Sequence, residues 1–293
     1  MSMLQRVLFS MAVMIGATFA NGLEMDLQKT YSLWQRAMVK KDIRIWETIT
    51  ASTKRRDVKN RIYSERQSYP SAVFASPFNP PALGELKVLK AKATGNVAKA
   101  VFFGKVDFGI GGEPTENLLV VSYVREGQYW RFYGAEYVNL SALPELRHDL
   151  MAGDYSYLDN GEFEPGVPTR LNSIELSRPA QYIAKLYVYC PERNVRALVN
   201  GMSNHNLTNA KEAELIIGGA NQGMNELQLA ISNTATTKGT EPLCVRVYLM
   251  SQVNGVQPVK VCEYLVQEGE AVQGVQTLRF VVTDEVAQQL KGN

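Results

Sequence analysis

Residues 85–108 read ELKVLKAKATGNVAKAVFFGKVDF, and this stretch decides the fold of the first half of the chain. The Gly95-Asn96 step is a tight-turn signal between two segments in which apolar and basic residues alternate. A two-residue loop at that step places Thr94 opposite Val97 and Leu89 opposite Phe102. The sequence therefore predicts a β-hairpin with one apolar face.

The reverse face of this hairpin is basic. The same register sets Lys92 directly opposite Lys99, a repulsive pair that is tolerated only if both side chains point into water. An exposed lysine face of this kind is suited to binding an anionic envelope component, although lysines also protect exposed sheets from aggregation. Its members are Lys90, Lys92, Lys99 and Lys105.

A second hairpin is expected from the segments Thr115 to Arg125 and Gln128 to Leu140, joined at Glu126-Gly127. Counting from that loop aligns Tyr123 with Trp130 and creates an aromatic face. Tyr123 and Trp130 are the aromatic candidates for a binding site, with a packed core as the alternative.

The residues before these hairpins have a helical pattern. One helix is expected behind a possible N-cap at Asp26, a second behind Asp42, and a third from Ser52 or Thr53 to about Gln67. Prolines between Tyr69 and Leu83 then mark a long connection. Helices followed by an antiparallel meander indicate the α+β class.

Three helices laid over a curved antiparallel sheet, with the aromatic last strand GQYWRFYGAEYV (residues 127–138), resemble the NTF2-like, cystatin-related cone fold. The resemblance covers about residues 25 to 140. It rests on the element order, on the spacing of Trp34, Lys41-Asp42 and Trp46, and on the G-x-x-W motif that ends at Trp130. The family includes isomerases, dehydratases, ligand carriers and accessory domains, so the resemblance implies a fold and leaves the function open.

Enzymes of that family work with an acid, a base or a His-Asp pair inside the cone. The expected register puts Glu136 on the inner aromatic face, near its end. Glu136 is therefore the candidate general base of an isomerase or dehydratase acting on a small apolar substrate. The alternative places Glu136 at the sheet rim, paired with a helix cation.

The second half of the chain reads differently. Residues 141–180 have the turn-rich composition of a connector, and residues 181–293 contain seven short strand-like segments that indicate a β-sandwich with a short C-terminal helix behind Thr283. The expected organisation is a signal peptide at 1–20, an NTF2-like domain at 23–140, a connector at 141–180 and a β-sandwich domain at 181–293.

Few residues in the chain could carry metal or nucleophile chemistry. His148 and His205 lie in no metal-ligand or catalytic spacing, and no nucleotide-binding glycine motif is present, so we expect neither a metal nor a cofactor. The nearest approach to a nucleophile elbow is the run 201–205, GMSNH, around Ser203, which lacks the final glycine. The sequence favours a non-enzymatic protein.

The three cysteines can be sorted by strand register. A turn at Asn254-Gly255 sets Val247 opposite Cys262 and Arg246 opposite Glu263, which directs Cys262 to an apolar face. Cys190 shares the inward parity of its own strand, whereas Cys244 does not. If a disulfide forms, it joins Cys190 to Cys262; two buried reduced thiols are the alternative.

The N-terminus predicts export. Residues 7–20 are uncharged and apolar behind Arg6, too few to span a bilayer, and end in small residues. The mature chain is expected to begin at Asn21 or Leu23 and to be periplasmic or secreted, without a transmembrane segment. Since 31 basic and 29 acidic residues nearly cancel, nothing indicates nucleic acid; the expected partners are an anionic envelope component or another protein.

Overall fold

The computed structural model of the chain describes residues 3–76, 79–106, 113–166, 175–234 and 240–291, with side chains from residue 22 onward. The fold is α+β, with three four-stranded antiparallel sheets. The chain forms two compact units. The first unit comprises Met1–Arg55 and Phe74–Thr169, and the second comprises Arg56–Val73 and Arg170–Asn293.

Two helices of the first unit precede its sheet. Helix α1 (Met3–Lys40) continues through Asp26, so no helix begins at that residue. Helix α2 (Ile43–Ile49) does begin behind Asp42, whose carboxylate accepts hydrogen bonds from the backbone N–H groups of Arg44 and Ile45. The predicted signal segment lies among residues whose side chains are outside the described part.

The first sheet is a meander in the order β1-β2-β3-β4. Its hairpin at Gly95-Asn96 confirms the predicted pairing of Thr94 with Val97 and of Lys92 with Lys99. The pairing then shifts at Leu89, so that Val88 and not Leu89 lies opposite Phe102. This irregularity turns Leu89 to the reverse face. The strands are β1 (Lys87–Thr94), β2 (Val97–Val106), β3 (Thr115–Glu126) and β4 (Tyr129–Asn139).

Both faces of the first sheet are covered. Helix α1 packs Leu27 and Tyr31 into the core on one face. The other face packs against the segment 140–163, which contains helix α4 (Pro144–Ala152) and buries Leu158 and Phe163. Part of the predicted connector is therefore a structural layer of the first unit.

Helix α3 (Ser52–Ser64) differs from the expected third helix of the cone. Residues from Arg56 onward group with the second unit, where hydrogen bonds join them to its chain. Buried Asn60 donates from its amide nitrogen to the carbonyl of Glu175 and accepts from the N–H of Ser177. Ser64 Oγ accepts from the N–H of Gly218. The capping signal at Ser52 or Thr53 that predicted the helix could not reveal these partners, because they lie more than 100 residues away.

The second unit contains two sheets, with strand orders β11-β10-β5-β8 (the second sheet) and β12-β9-β6-β7 (the third sheet). Both sheets contribute inward side chains to a single hydrophobic core, and helix α5 (Asp284–Gln289) follows behind Thr283 as predicted. The strands are β5 (Ile183–Tyr189), β6 (Arg193–Val199), β7 (Ser203–Thr208), β8 (Lys211–Leu215), β9 (Gly223–Asn233), β10 (Leu243–Met250), β11 (Val259–Val266) and β12 (Val275–Val282).

Strand β7 is the strand that the sequence pattern missed. Its inward residues include Ser203 and His205, so the segment lacks the apolar alternation of its neighbours. A local signal was nevertheless present. Asn200 and Gly201, at φ 51° and 68°, form the turn that pairs Val199 with Ser203.

Candidate functional site

The lysine face was the first predicted site, and the structure shows that this chain covers it. Lys90 Nζ donates to the carbonyl of Leu158 at 2.6 Å and to Glu164 Oε1 at 2.9 Å, and the Lys90 side chain is only 18% exposed. Lys92 donates to the other oxygen of Glu164 at 2.5 Å. Lys99 donates to the carbonyl of Glu162 at 2.5 Å. The expectation that this face points into water is therefore wrong for Lys90.

Glu164 explains how two like charges are tolerated on one face. Hydrogen bonds from Lys92 and Lys90 hold the pKa of the Glu164 carboxyl below its usual value. The repulsion between Lys92 and Lys99 is offset by this carboxylate and by the Glu162 carbonyl. Lys105 lies apart, exposed and opposite Glu116. These lysines do not form one free cationic surface.

The aromatic candidates lie in the core of the first unit. Tyr123 is 1% exposed, and its hydroxyl has no hydrogen-bond partner among the described residues. Trp130 is half-buried and lies beside the Arg125 guanidinium, 5.7 Å from the ring centre. Phe132 stacks on Trp34 with ring centres 3.7 Å apart. These rings share one face as predicted, but the predicted pairing of Tyr123 with Trp130 is wrong: Tyr123 lies opposite Phe132, and Trp130 lies opposite Arg125.

The ionisable groups of this interior are phenols. Burial raises the pKa of Tyr123 well above its usual value, and nearby Tyr31 raises it further. Burial also raises the pKa of Tyr31 and the pKa of Tyr137. Tyr31 donates its hydroxyl to the Pro81 carbonyl at 3.0 Å. All three hydroxyls stay protonated at neutral pH, so none of them supplies a base.

Glu136 does not lie on the aromatic face, which corrects its prediction. The hairpin loop is Gly127-Gln128, one residue later than expected, and the pairing shifts again beyond Ser122. Glu136 consequently pairs with Val120, which belongs to the core on the opposite face, and its side chain is exposed. The catalytic alternative loses the base that it required.

A Ser-His-Glu chain of hydrogen bonds lies within the second unit. Ser203 Oγ is 2.8 Å from His205 Nε2, and His205 Nδ1 is 2.5 Å from Glu214 Oε2. Ser203 and His205 share one side of β7 because they are two residues apart, and Glu214 reaches them from β8. This connectivity is that of a hydrolytic triad.

The surroundings of Ser203 argue against a catalytic role. Ser203 is 0% exposed, and its Oγ already accepts a hydrogen bond from the N–H of Ile217 at 2.8 Å. A substrate carbonyl has no path to such an oxygen without displacing core residues. We assign this series of hydrogen bonds a structural role: it joins an edge strand of the third sheet to an edge strand of the second.

The cysteines are all free, so the conditional disulfide is absent. The predicted pairings of Val247 with Cys262 and of Arg246 with Glu263 are confirmed. Strand β10 separates the strands of Cys190 and Cys262. Two strand spacings amount to about 10 Å, beyond the reach of a disulfide. Burial raises the pKa of all three thiols, which keeps them protonated.

The outward face of the third sheet carries the best candidate binding site. A depression of about 460 Å³ lies over strands β6, β7 and β9, and Gly274 also lines it. Cross-strand pairing places Arg196 between Ala230 and Asn206, and Asn194 between Ser232 and Thr208. Because Ala230 is small, the flanking longer side chains rise around it. We call this feature the polar depression.

Several polar groups of the depression have free hydrogen-bonding capacity. Arg196, Asn206 and Ser232 are exposed, and their side chains make no hydrogen bond or ion pair within the part of the chain described. Thr208 donates to Asn194 Oδ1 at 2.8 Å, which orients that amide. Sequence reasoning missed this site because its residues came from a strand that the pattern failed to identify and from outward positions of two others.

No cluster of three His, Cys, Asp or Glu side chains among the described residues could hold a metal ion. None of the helices in the same residues combines the length and apolar character that crossing a membrane requires. No family model, curated protein or solved structure matches this chain.

Proposed function

We propose that this protein is an exported, non-enzymatic binding or scaffolding protein of a bacterial cell envelope. In this proposal the first unit is an NTF2-like domain and the second is a β-sandwich. The meander with α1 packed on one face supports the former. Two sheets that share one core support the latter. The apolar segment 7–20 supports export.

Three observations favour binding over catalysis. Glu136 is exposed on the face opposite the aromatic interior. The tyrosine hydroxyls of that interior are protonated phenols. Ser203 has the partners of a nucleophile but no exposure. Among the described candidates, Glu136 therefore lies outside the aromatic interior, the tyrosines are protonated, and Ser203 is inaccessible to a substrate.

The observation that carries the proposal is the polar depression. It is concave, it lies on regular strands that fix its geometry, and it presents Arg196, Asn206 and Ser232 with unused donors and acceptors. Sites built on strands hold their side chains more firmly than sites on loops. Such a surface is suited to recognising a polar ligand without altering it.

Retention on a native envelope fraction tests this function. We expect Ala230→Trp to abolish retention of the purified full chain, because an indole would fill the depression. Met224→Trp is the matched control: Met224 is also outward on β9 and 62% exposed, about 20 Å away by strand length. Equal retention of both variants and of the natural protein would refute the proposed surface, and no retention of the natural protein would refute the function.

A further inference from the structure

We propose that the polar depression binds a carboxylate-bearing, hydroxyl-rich chain, that is, an acidic polysaccharide whose negative charges are widely spaced. This inference rests on the proposed function and names the ligand class of the same site. Its basis is the number, type and spacing of the groups around Ala230, together with the charge of the third sheet's outward face.

The charge of this face favours a ligand that places one negative charge in the depression. Arg196 is the cation of the depression, and the lining contains no carboxylate. Among the outward positions of the four strands, Glu226 is the single acid; it lies 3.8 Å from Arg279 and accepts from Gln228 at 2.7 Å. Glu226 is engaged elsewhere, and Arg196 has no ion-pair partner among the described residues. One guanidinium matches one carboxylate in a two-bond fork.

The neutral groups favour hydroxyls. Asn194, Asn206, Thr208 and Ser232 supply amides and hydroxyls, each of which both donates and accepts. They occupy neighbouring positions on three strands, so that they span about 10 Å across the sheet. A sugar ring offers hydroxyls that also donate and accept around its edge. A chain of sugars can therefore exchange its hydrogen bonds to water for bonds to this fixed array.

A protein partner fits this surface less well. Protein interfaces are enriched in aromatic anchors at their centre, and the lining of the depression contains none. Its apolar members Val195, Leu207 and Ile231 point into the core, with exposures of at most 7%. A densely charged polymer such as a polyphosphate would require more cations than Arg196 alone.

The test uses polygalacturonate as probe, with dextran as the uncharged polysaccharide and polyglutamate as the carboxylated polymer without hydroxyls. Titration calorimetry of the purified full chain should show binding to polygalacturonate and at least tenfold weaker binding to the other two. Arg196→Gln should weaken polygalacturonate binding by about tenfold, the equivalent of about 1.4 kcal/mol. Arg279→Gln, which removes a charge from the same face outside the depression, should change it little.

The outcomes separate this inference from the function beneath it. Equal binding of polyglutamate would show that hydroxyls are not recognised, and equal binding of dextran would show that the carboxylate is not. Either result, or unchanged binding by Arg196→Gln, would overturn the ligand class. If Ala230→Trp abolishes envelope retention but polygalacturonate does not bind, the function stands and the ligand class is wrong. If Ala230→Trp leaves retention unchanged, the function itself fails.

Discussion

At the scale of single residues, substrate access decides whether residues with catalytic connectivity can act. Ser203, His205 and Glu214 have triad connectivity, yet Ser203 is buried and its Oγ hydrogen-bonds inside the core to His205 Nε2 and to the N–H of Ile217. His205 lies between its two neighbours, with Nε2 facing Ser203 Oγ and Nδ1 facing Glu214 Oε2. The hydrogen bonds that give these residues the connectivity of a catalytic triad thus also explain why polar residues occupy inward positions of β7.

Ser203→Ala tests this structural assignment. Removing Oγ leaves the Ile217 N–H and His205 Nε2 buried without a partner, so the free energy of unfolding should fall by about 1–3 kcal/mol. Denaturant unfolding measures the change. Asn204→Ala, one residue away and exposed, is the control and should be nearly neutral. Equal stability of the two variants, or labelling of Ser203 in the natural protein by a fluorophosphonate, would contradict the assignment.

Residue-level prediction gave the correct pairs in one hairpin and the wrong face in another. The Asn254-Gly255 signal gave the correct partners of Arg246 and Cys262. Leu249 pairs with Val259 nearer the turn, one residue out of the predicted register, and the shift between Val247 and Tyr248 restores that register for the later pairs. The prediction failed for Glu136, because the register shift between Tyr123 and Ser122 inserts one extra residue in β4 and reverses the face of every later side chain on that strand. Such irregularities are decided by packing, which no local pattern encodes.

At the scale of elements, the predicted connector differs most from its prediction. Its turn-rich composition predicted a linker, yet Leu158 and Phe163 are 2% exposed and Glu164 pairs two lysines of the first sheet. These three positions lie in or beside short helical turns, so they show no period. Most helices and strands were predictable, with β7 as an exception, whereas the irregular layer that covers the first sheet was not.

Glu164→Gln tests the role of this layer. Because Lys92 and Lys90 lower the folded-state pKa of Glu164, its ionised form stabilises the protein above the usual value of 4.5 and loses this effect as pH falls through the lowered pKa. Thermal unfolding should show the variant a few degrees less stable at neutral pH and equal to the natural protein in strong acid. Glu162→Gln is the control, since only its backbone carbonyl contacts a lysine. A pH-independent difference would contradict the ion-pair account.

At the scale of the whole molecule, composition and segment order predicted the α+β class. Contacts between residues far apart in sequence decided how the chain divides into two units. Asn60, Ser64 and Tyr63 bond to the second unit's chain, which assigns most of α3 to that unit. Long-range hydrogen bonds of this kind leave no periodic trace in sequence. The central claim at this scale is that the protein acts by binding through the polar depression.

The most direct test of that claim is the maleimide labelling rate of an Asn206→Cys variant, free and retained on the envelope fraction. The three natural cysteines are at most 9% exposed and have raised pKa values, so the introduced thiol reacts selectively. We predict several-fold slower labelling in the retained protein, with no change for Lys211→Cys on exposed β8. Labelling of Asn206→Cys at the same rate in both states would show that the envelope contacts another surface.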